Sequence, residues 1–347
     1  MTDDLAGQVR SGRTSPGLFA LRDEGPGQQG FGRAVVGVSG GDAERWLDGM
    51  VSNDITAISA AGPLSGCHAA LLTTRGRIVA DLHVLAREDG YWLETASHAV
   101  AALSAQLEKY IVADDVTLED LSDRVARLGI EGPGSTELLA GLAGESPASL
   151  EAVAPHAWQP LQLAAAEVAA VRFGWSGEEA WQLLVPPADA EAVEAGLQAA
   201  GALPRSLAAL EVLRIEAGVP RLGAELHDGV FPDEARLESA ISRSKGCYTG
   251  QEIVARLYSR GAVNHLLVGL RFEAPSPPPV DAGLEAGDKQ TGEVTSACLS
   301  PAAGAIGLGF VRREHSEPGT RLRCRGPDGD CEVTVAELPL VEAGASG

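Results

Sequence analysis

The order of secondary-structure signals is written twice along the chain, and that repetition limits the fold more than any single residue does. In the first copy, a short apolar run at 34–40 precedes a helix-like stretch at 43–51, in which Asp42 is placed to cap and Ala43, Trp46, Leu47 and Met50 share one face. Two strand-like runs, 68–74 and 77–86, then flank the glycine-centred Arg75-Gly76-Arg77, which reads as a hairpin. A strand at 91–96 and a helix at 98–112 close the copy, with Lys109 in the last turn, where a cation suits the helix dipole. The second copy runs from about 125 to 184, with strand-like 125–132, a helix at 135–144 and strands at 167–173 and 180–186, and a helix then follows Pro186-Pro187. Two β-rich halves that each carry helices predict an α+β body of two related lobes, not a parallel sheet of alternating strands and helices.

Outside the repeat the texture changes. A further amphipathic helix at 206–218 is stopped by Gly218 and Pro220. Beyond Gly261, short strand-like runs at 264–272, 292–300, 305–311, 321–326 and 331–338 are separated by Gly, Pro and Asp, the pattern of a small β-barrel or sandwich. The proline-rich 273–283 is a stiff loop within it. The expected organisation is a flexible N-terminal arm at 1–30, a body at 31–260 made of lobes 31–124 and 125–260, and a C-terminal β-barrel at 261–347. The first 30 residues are assigned to the arm because they are rich in Gly, Ser, Arg and Gln without periodicity.

Composition narrows the function. Against 27 Lys and Arg stand 48 Asp and Glu, a net charge of −21, which opposes direct binding to nucleic acid through bulk charge. No apolar run is long enough to span a membrane and the N-terminus has no apolar signal core, so a cytoplasmic protein is expected. Five cysteines, odd in number and without a C-x-x-C pair, argue against a disulfide framework or a zinc knuckle. His68, His98, His156, His227, His265 and His315 show no metal-ligand spacing and read as ordinary surface or core histidines, so no metal is expected. Dinucleotide, Walker and nucleophile-elbow glycine patterns are absent.

The richest stretch chemically is Lys245-Gly246-Cys247-Tyr248-Thr249-Gly250-Gln251-Glu252. Glycines bracket Cys247 just before a helix-forming segment, where free N–H groups favour a thiolate, and Lys245, Arg243 and Arg256 can add positive charge. Cys247 is thus either a reactive thiol or a small buried hydrophobe. Upstream, Asp81 and His83 alternate along one strand and share a face, beside which Asn53-Asp54 can lie. Trp46, Trp92 and Trp158 read as core or rim residues, whereas Trp175 and Trp181 can either pack or stack on a flat ligand.

The run 245–252, with its continuation through 255–270, resembles the signature of the YgfZ family of folate-binding proteins, and 214–241 resembles the segment that leads to it. Segments 41–55 and 71–86 resemble the folate-binding region that this family shares with glycine-cleavage T-proteins, the aminomethyltransferases, and 292–311 resembles their C-terminal barrel. The resemblance implies a tetrahydrofolate ligand in a central channel, with Asn53, Asp81, Trp175, Gln182, Tyr248, Gln251 and Arg256 around it and Cys247, Lys245 and Asp81 as the chemical groups. T-proteins carry two acidic residues where Ala80-Asp81 stands, and a glutamate where Gln182 stands. A glutamine still pairs with a pterin edge but loses the charge-assisted bonds of a carboxylate, a departure that bears on aminomethyl transfer and not on folate binding. The implied function is assembly or repair of iron–sulfur clusters in client enzymes, including tRNA-modifying ones. The alternatives are a folate-dependent aminomethyltransferase or demethylase with Asp81 in acid–base work, and a non-catalytic folate-binding scaffold.

Overall fold

A computed structural model describes residues 2–21, 31–261, 263–326 and 329–344. The chain opens with α1 (Thr2–Gly12) and β1 (Gly17–Ala20). The first lobe follows as β2 (Arg33–Ser39), α2 (Ala43–Met50), α3 (Ile55–Ala61), β3 (Gly66–Leu72), β4 (Ile78–Arg87), β5 (Gly90–Ala96), α4 (Val100–Glu108) and β6 (Thr117–Asp120). The second comprises β7 (Ala126–Glu131), α5 (Ser135–Ala143), α6 (Pro147–Glu151), β8 (Trp158–Leu163), β9 (Ala166–Val171), β10 (Ala180–Val185), α7 (Ala190–Ala199) and β11 (Leu203–Pro204). After α8 (Leu207–Ala217) and α9 (Gln251–Arg260) come β12 (His265–Phe272), β13 (Gly283–Ala286), β14 (Lys289–Ser300), β15 (Gly304–Arg312), β16 (Arg321–Cys324) and β17 (Cys331–Ala336). The lobes form sheets of order β3-β4-β5-β2-β6 and β11-β1-β7-β10-β9-β8, and the last six strands close a barrel.

The two-lobed α+β body with a C-terminal barrel is therefore as the sequence implied. Strand alternation explains how the lobes pack. In the first sheet Val36, Val38, Leu71, Leu82, Val84 and Leu93 face α2, α3 and α4, and in the second Leu128, Ile130, Leu161, Val168, Trp181 and Leu183 bury under α5 and α7. The opposite faces meet each other, with Leu85 and Trp92 of the first packed on Trp158, Val171 and Leu184 of the second. One part of this seam is apolar; the other holds the polar groups described below.

Two expectations need correction. Residues 2–20 of the supposed arm are packed: α1 lies on α8, β1 sits between β7 and β11, and Phe19 is fully buried. Arg13 fixes the segment through buried ion pairs to Glu178 at 2.8 Å and Glu216 at 2.7 Å. The remainder of the arm, 22–30, lies outside the described residues. Asp42 stands at the N-terminus of α2 but makes no capping bond; its carboxylate accepts instead from the Asp115 amide and Arg45.

Helix α8 ties the parts together. Its Arg214 reaches Glu211, Glu225 and Ser296 of β14, and its Glu216 accepts from Arg13 and from Ser300 at the end of β14. Buried charges are tolerable only when paired and hydrogen-bonded in this way.

Candidate functional site

The polar part of the seam starts at Asp81. Register puts Ala70 opposite Asp81 and His68 opposite His83, so these side chains share the inner face of the first sheet. His68 Nε2 donates to Asp81 Oδ1 at 2.5 Å, and its Nδ1 lies 3.3 Å from Ser239 Oγ. Burial works to raise the Asp81 pKa, but the charge and hydrogen bond of His68, with Arg33 beyond, hold it below the usual range. His83 and His156 join nitrogen to nitrogen at 3.0 Å, and Phe173 stacks on His83 with ring centres 3.7 Å apart. Burial, and then the charges of the neighbouring histidines, keep His83 neutral and push His156 down to about 4.

Beside this cluster, Arg33 of β2 forms a two-pronged bond to Glu94 of β5 at 3.1 and 3.2 Å. Arg127 of β7 approaches the same carboxylate from the second lobe, at 3.7 Å. Trp175 lies edge-on to both Phe31 and Phe173, under the Arg33 guanidinium. Gln182 of β10 is fully buried; its amide donates to Glu131 Oε1 at 3.0 Å and to the Phe173 carbonyl at 3.2 Å, and its own Oε1 has no partner. Glu131 in turn accepts from the Trp175 and Ser176 amides, and burial raises its pKa.

The structure thus brings Asp81, Trp175 and Gln182 to one seam. Asn53 borders it, with its amide donating to the His68 carbonyl at 2.7 Å and the Ser239 carbonyl at 3.0 Å. The other expected residues lie elsewhere. Lys245 is a buried cap: its ammonium is 2.9 Å from the Asp48 carboxylate and donates to the carbonyls of Asp48, Val51 and Asn53, where the C-terminus of α2 presents free acceptors. All its donors are spent there, which corrects the expectation that it activates Cys247. Arg243 is bound by Asp233 and lies over Tyr258, and Arg256 pairs with Glu252 on the exposed face of α9, so neither faces the seam. Tyr248 is buried in the central core, Gln251 starts α9, and Cys247 is exposed. Trp181 is core, its indole donating to Thr136.

The two motif regions nevertheless touch. Gly250, with φ of 84°, sits so close to the 73–77 hairpin that a Cβ would come 2.6 Å from the Thr73 carbonyl. Sequence reasoning missed His68, His156, Arg33, Glu94, Arg127, Phe173 and Glu131. Only the period-2 alternation of β4 pointed toward them: His68, Arg33 and Glu94 join Asp81 through non-local strand pairing within the first sheet, and His156, Arg127, Phe173 and Glu131 arrive from the second lobe. Among the described residues no group of three or more His, Cys, Asp or Glu could hold a metal ion, and no helix is long and apolar enough to cross a membrane.

Comparison with known proteins places this geometry. Residues 31–245 match the GCVT N-terminal domain, and 266–342 match the glycine cleavage T-protein C-terminal barrel domain. An aminomethyltransferase of Saccharopolyspora erythraea is 30% identical over 341 residues, spanning 96% of this chain and 89% of its own length. A chloroplastic putative transferase of Arabidopsis thaliana is 27% identical over 316 residues, spanning 90% and 69%. The structure of aminomethyltransferase T of the glycine cleavage system from Bartonella henselae has the same fold, with a TM-score of 0.83 at 21% identity over 98% of this chain and 90% of that one.

Proposed function

The chain belongs to the glycine-cleavage T-protein (GCVT) family, and on that premise we propose that it binds a reduced folate in the polar seam and serves iron–sulfur client enzymes, including those that modify tRNA, as the YgfZ resemblance implies. The observation that carries the folate reading is the orphaned Gln182 carbonyl, a fully buried acceptor with no donor. An unpaired buried acceptor costs about 1–3 kcal/mol, and a pterin brings ring N–H and amino donors together with a flat face. The seam offers partners for such a group: the Gln182 carbonyl can accept from its edge, Trp175 and Phe173, in edge contact with each other, offer aromatic surface, and the ionised Asp81 can hold a proton-bearing nitrogen. Reduced folate supplies a nitrogen that carries a one-carbon unit.

Two features favour a role other than aminomethyl transfer. The residue at the pterin edge is a neutral amide, and the neighbouring carboxylate of Glu131 is already satisfied by Trp175, Ser176 and Gln182. A second reading, aminomethyl transfer or demethylation with Asp81 as acid–base group, draws support from the activity named for the Saccharopolyspora relative and from the presence of Asp81 itself. Incubating purified protein with tetrahydrofolate and an aminomethyl-lipoyl carrier separates the two. The first reading expects folate binding without methylene-tetrahydrofolate, and turnover that disappears in Asp81→Asn establishes the second. Deleting the gene in its host should lower the activity of iron–sulfur enzymes; undiminished activity removes the client role.

A further inference from the structure

Arg127 is the least satisfied charge in the described structure. It is 4% exposed, and Nε, Nη1 and Nη2 all lack a hydrogen-bond partner. Among the described residues its sole ionic neighbour is Glu94, 3.7 Å away, whose two oxygens are already bonded to Arg33. A buried guanidinium in this state is costly, and such a group in a folded protein calls for a reason. Burial brings its pKa down to about 10, so it remains a cation at neutral pH.

Beside it lies a cleft of about 300 Å³ at the junction of the lobes, lined by Leu21, Arg33, Asp123, Arg127 and Pro187 among others. Among the described residues the two guanidinium groups share one carboxylate, Glu94, whose oxygens Arg33 already holds, which leaves Arg127 without an anion of its own. A single carboxylate restores neutrality where a doubly charged phosphate would overshoot it, and the planar guanidinium fork matches a carboxylate with two parallel bonds. Asp123, the one acidic side chain among the described residues that line the cleft, is exposed and makes no ion pair with Arg127.

We propose that this cleft is a binding site for the carboxylate of a small ligand, received by Arg127 with Arg33 behind it. The site stands on Arg127 and the cleft alone and does not depend on folate occupying the seam. All three guanidinium nitrogens are covered in this structure, so receiving the anion requires the Arg127 side chain to turn its fork toward the cleft that it lines. The carboxylate can come from a free small acid, such as an N-methylated amino acid, or from the glutamyl end of a folate.

Calorimetric and thermal-melt titrations test this with acetate, sarcosine, p-aminobenzoylglutamate and, as a ligand without a carboxylate, 6-methyltetrahydropterin. The wild-type chain should respond to at least one carboxylate, Arg127→Lys should bind it roughly tenfold or more weakly for want of the fork, and Arg127→Met should not respond. A response to p-aminobenzoylglutamate alone assigns the carboxylate to folate, and a response to acetate or sarcosine assigns it to a separate ligand. Arg127→Met should also melt no lower than wild type when ligand-free, because it removes an unpaired buried charge; a strongly lowered melt marks a structural arginine and overturns the inference. So does an unaltered carboxylate response in that variant, or none in the wild type. The pterin arm reports on the folate reading separately, because 6-methyltetrahydropterin should still bind Arg127→Met.

Discussion

His156 and His83 are held neutral in a nearly dry cluster, and that sets how the protein responds to acid. An unfolded histidine takes up its proton near pH 6.5, whereas His156 in the fold resists until about pH 4. Between those values the unfolded chain binds more protons than the folded one, so stability falls as pH drops from 6.5 toward 4. Replacing His156 with Asn should flatten this acid limb by on the order of 1–3 kcal/mol in denaturant titrations at pH 7 and pH 4.5; an unchanged limb places the titration elsewhere. Lys245 gives a second test. Lys245→Ala leaves the Asp48 carboxylate without its cation, with the Ile55 amide as its remaining donor, frees the carbonyls of Asp48, Val51 and Asn53, and should cost about 2–4 kcal/mol in chemical denaturation. The pH dependence of Cys247 alkylation should not move with it, although Cys247, the one exposed cysteine, should label first. At this scale the sequence was partly legible. Asp81 and His83 were readable as one face because strand alternation is local, but the partners of Lys245 lie on another helix, and no spacing within 245–252 reveals them.

Among the elements, α1 and β1 show why glycine-rich, aperiodic sequence misleads. Residues 2–20 have too weak a pattern to fold alone; their order comes from α8, from the strand partners β7 and β11, and from Arg13 between Glu178 and Glu216. Tertiary contacts override local propensity here. Arg13→Ala leaves two buried carboxylates unpaired and should destabilise by about 3–5 kcal/mol, and removing residues 1–16 should abolish cooperative unfolding in calorimetry. A truncated chain that melts like the intact one refutes this account of the N-terminus. The hairpin at 73–77 and the barrel strands, in contrast, were legible because turn chemistry and alternation are both local signals.

For the whole molecule, the duplicated order of strands and helices was enough to anticipate two lobes, since each sheet needs helices on one face and a partner on the other. How the two inner faces meet was not written in either copy. His68, Arg33 and Glu94 come from strands β3, β2 and β5, which are far apart in sequence and joined by pairing within the first sheet, and the packing of sheet on sheet adds Arg127 from the second. Folate binding at this joint site is tested by a thermal melt of wild type and Asp81→Asn with and without tetrahydrofolate. A ligand at a hundredfold excess over its dissociation constant adds about 2.7 kcal/mol to the stability of the native state. The expected result is a clear upward shift for wild type and a reduced one for Asp81→Asn, and a melt that millimolar tetrahydrofolate leaves in place, or an equal shift in both proteins, contradicts it.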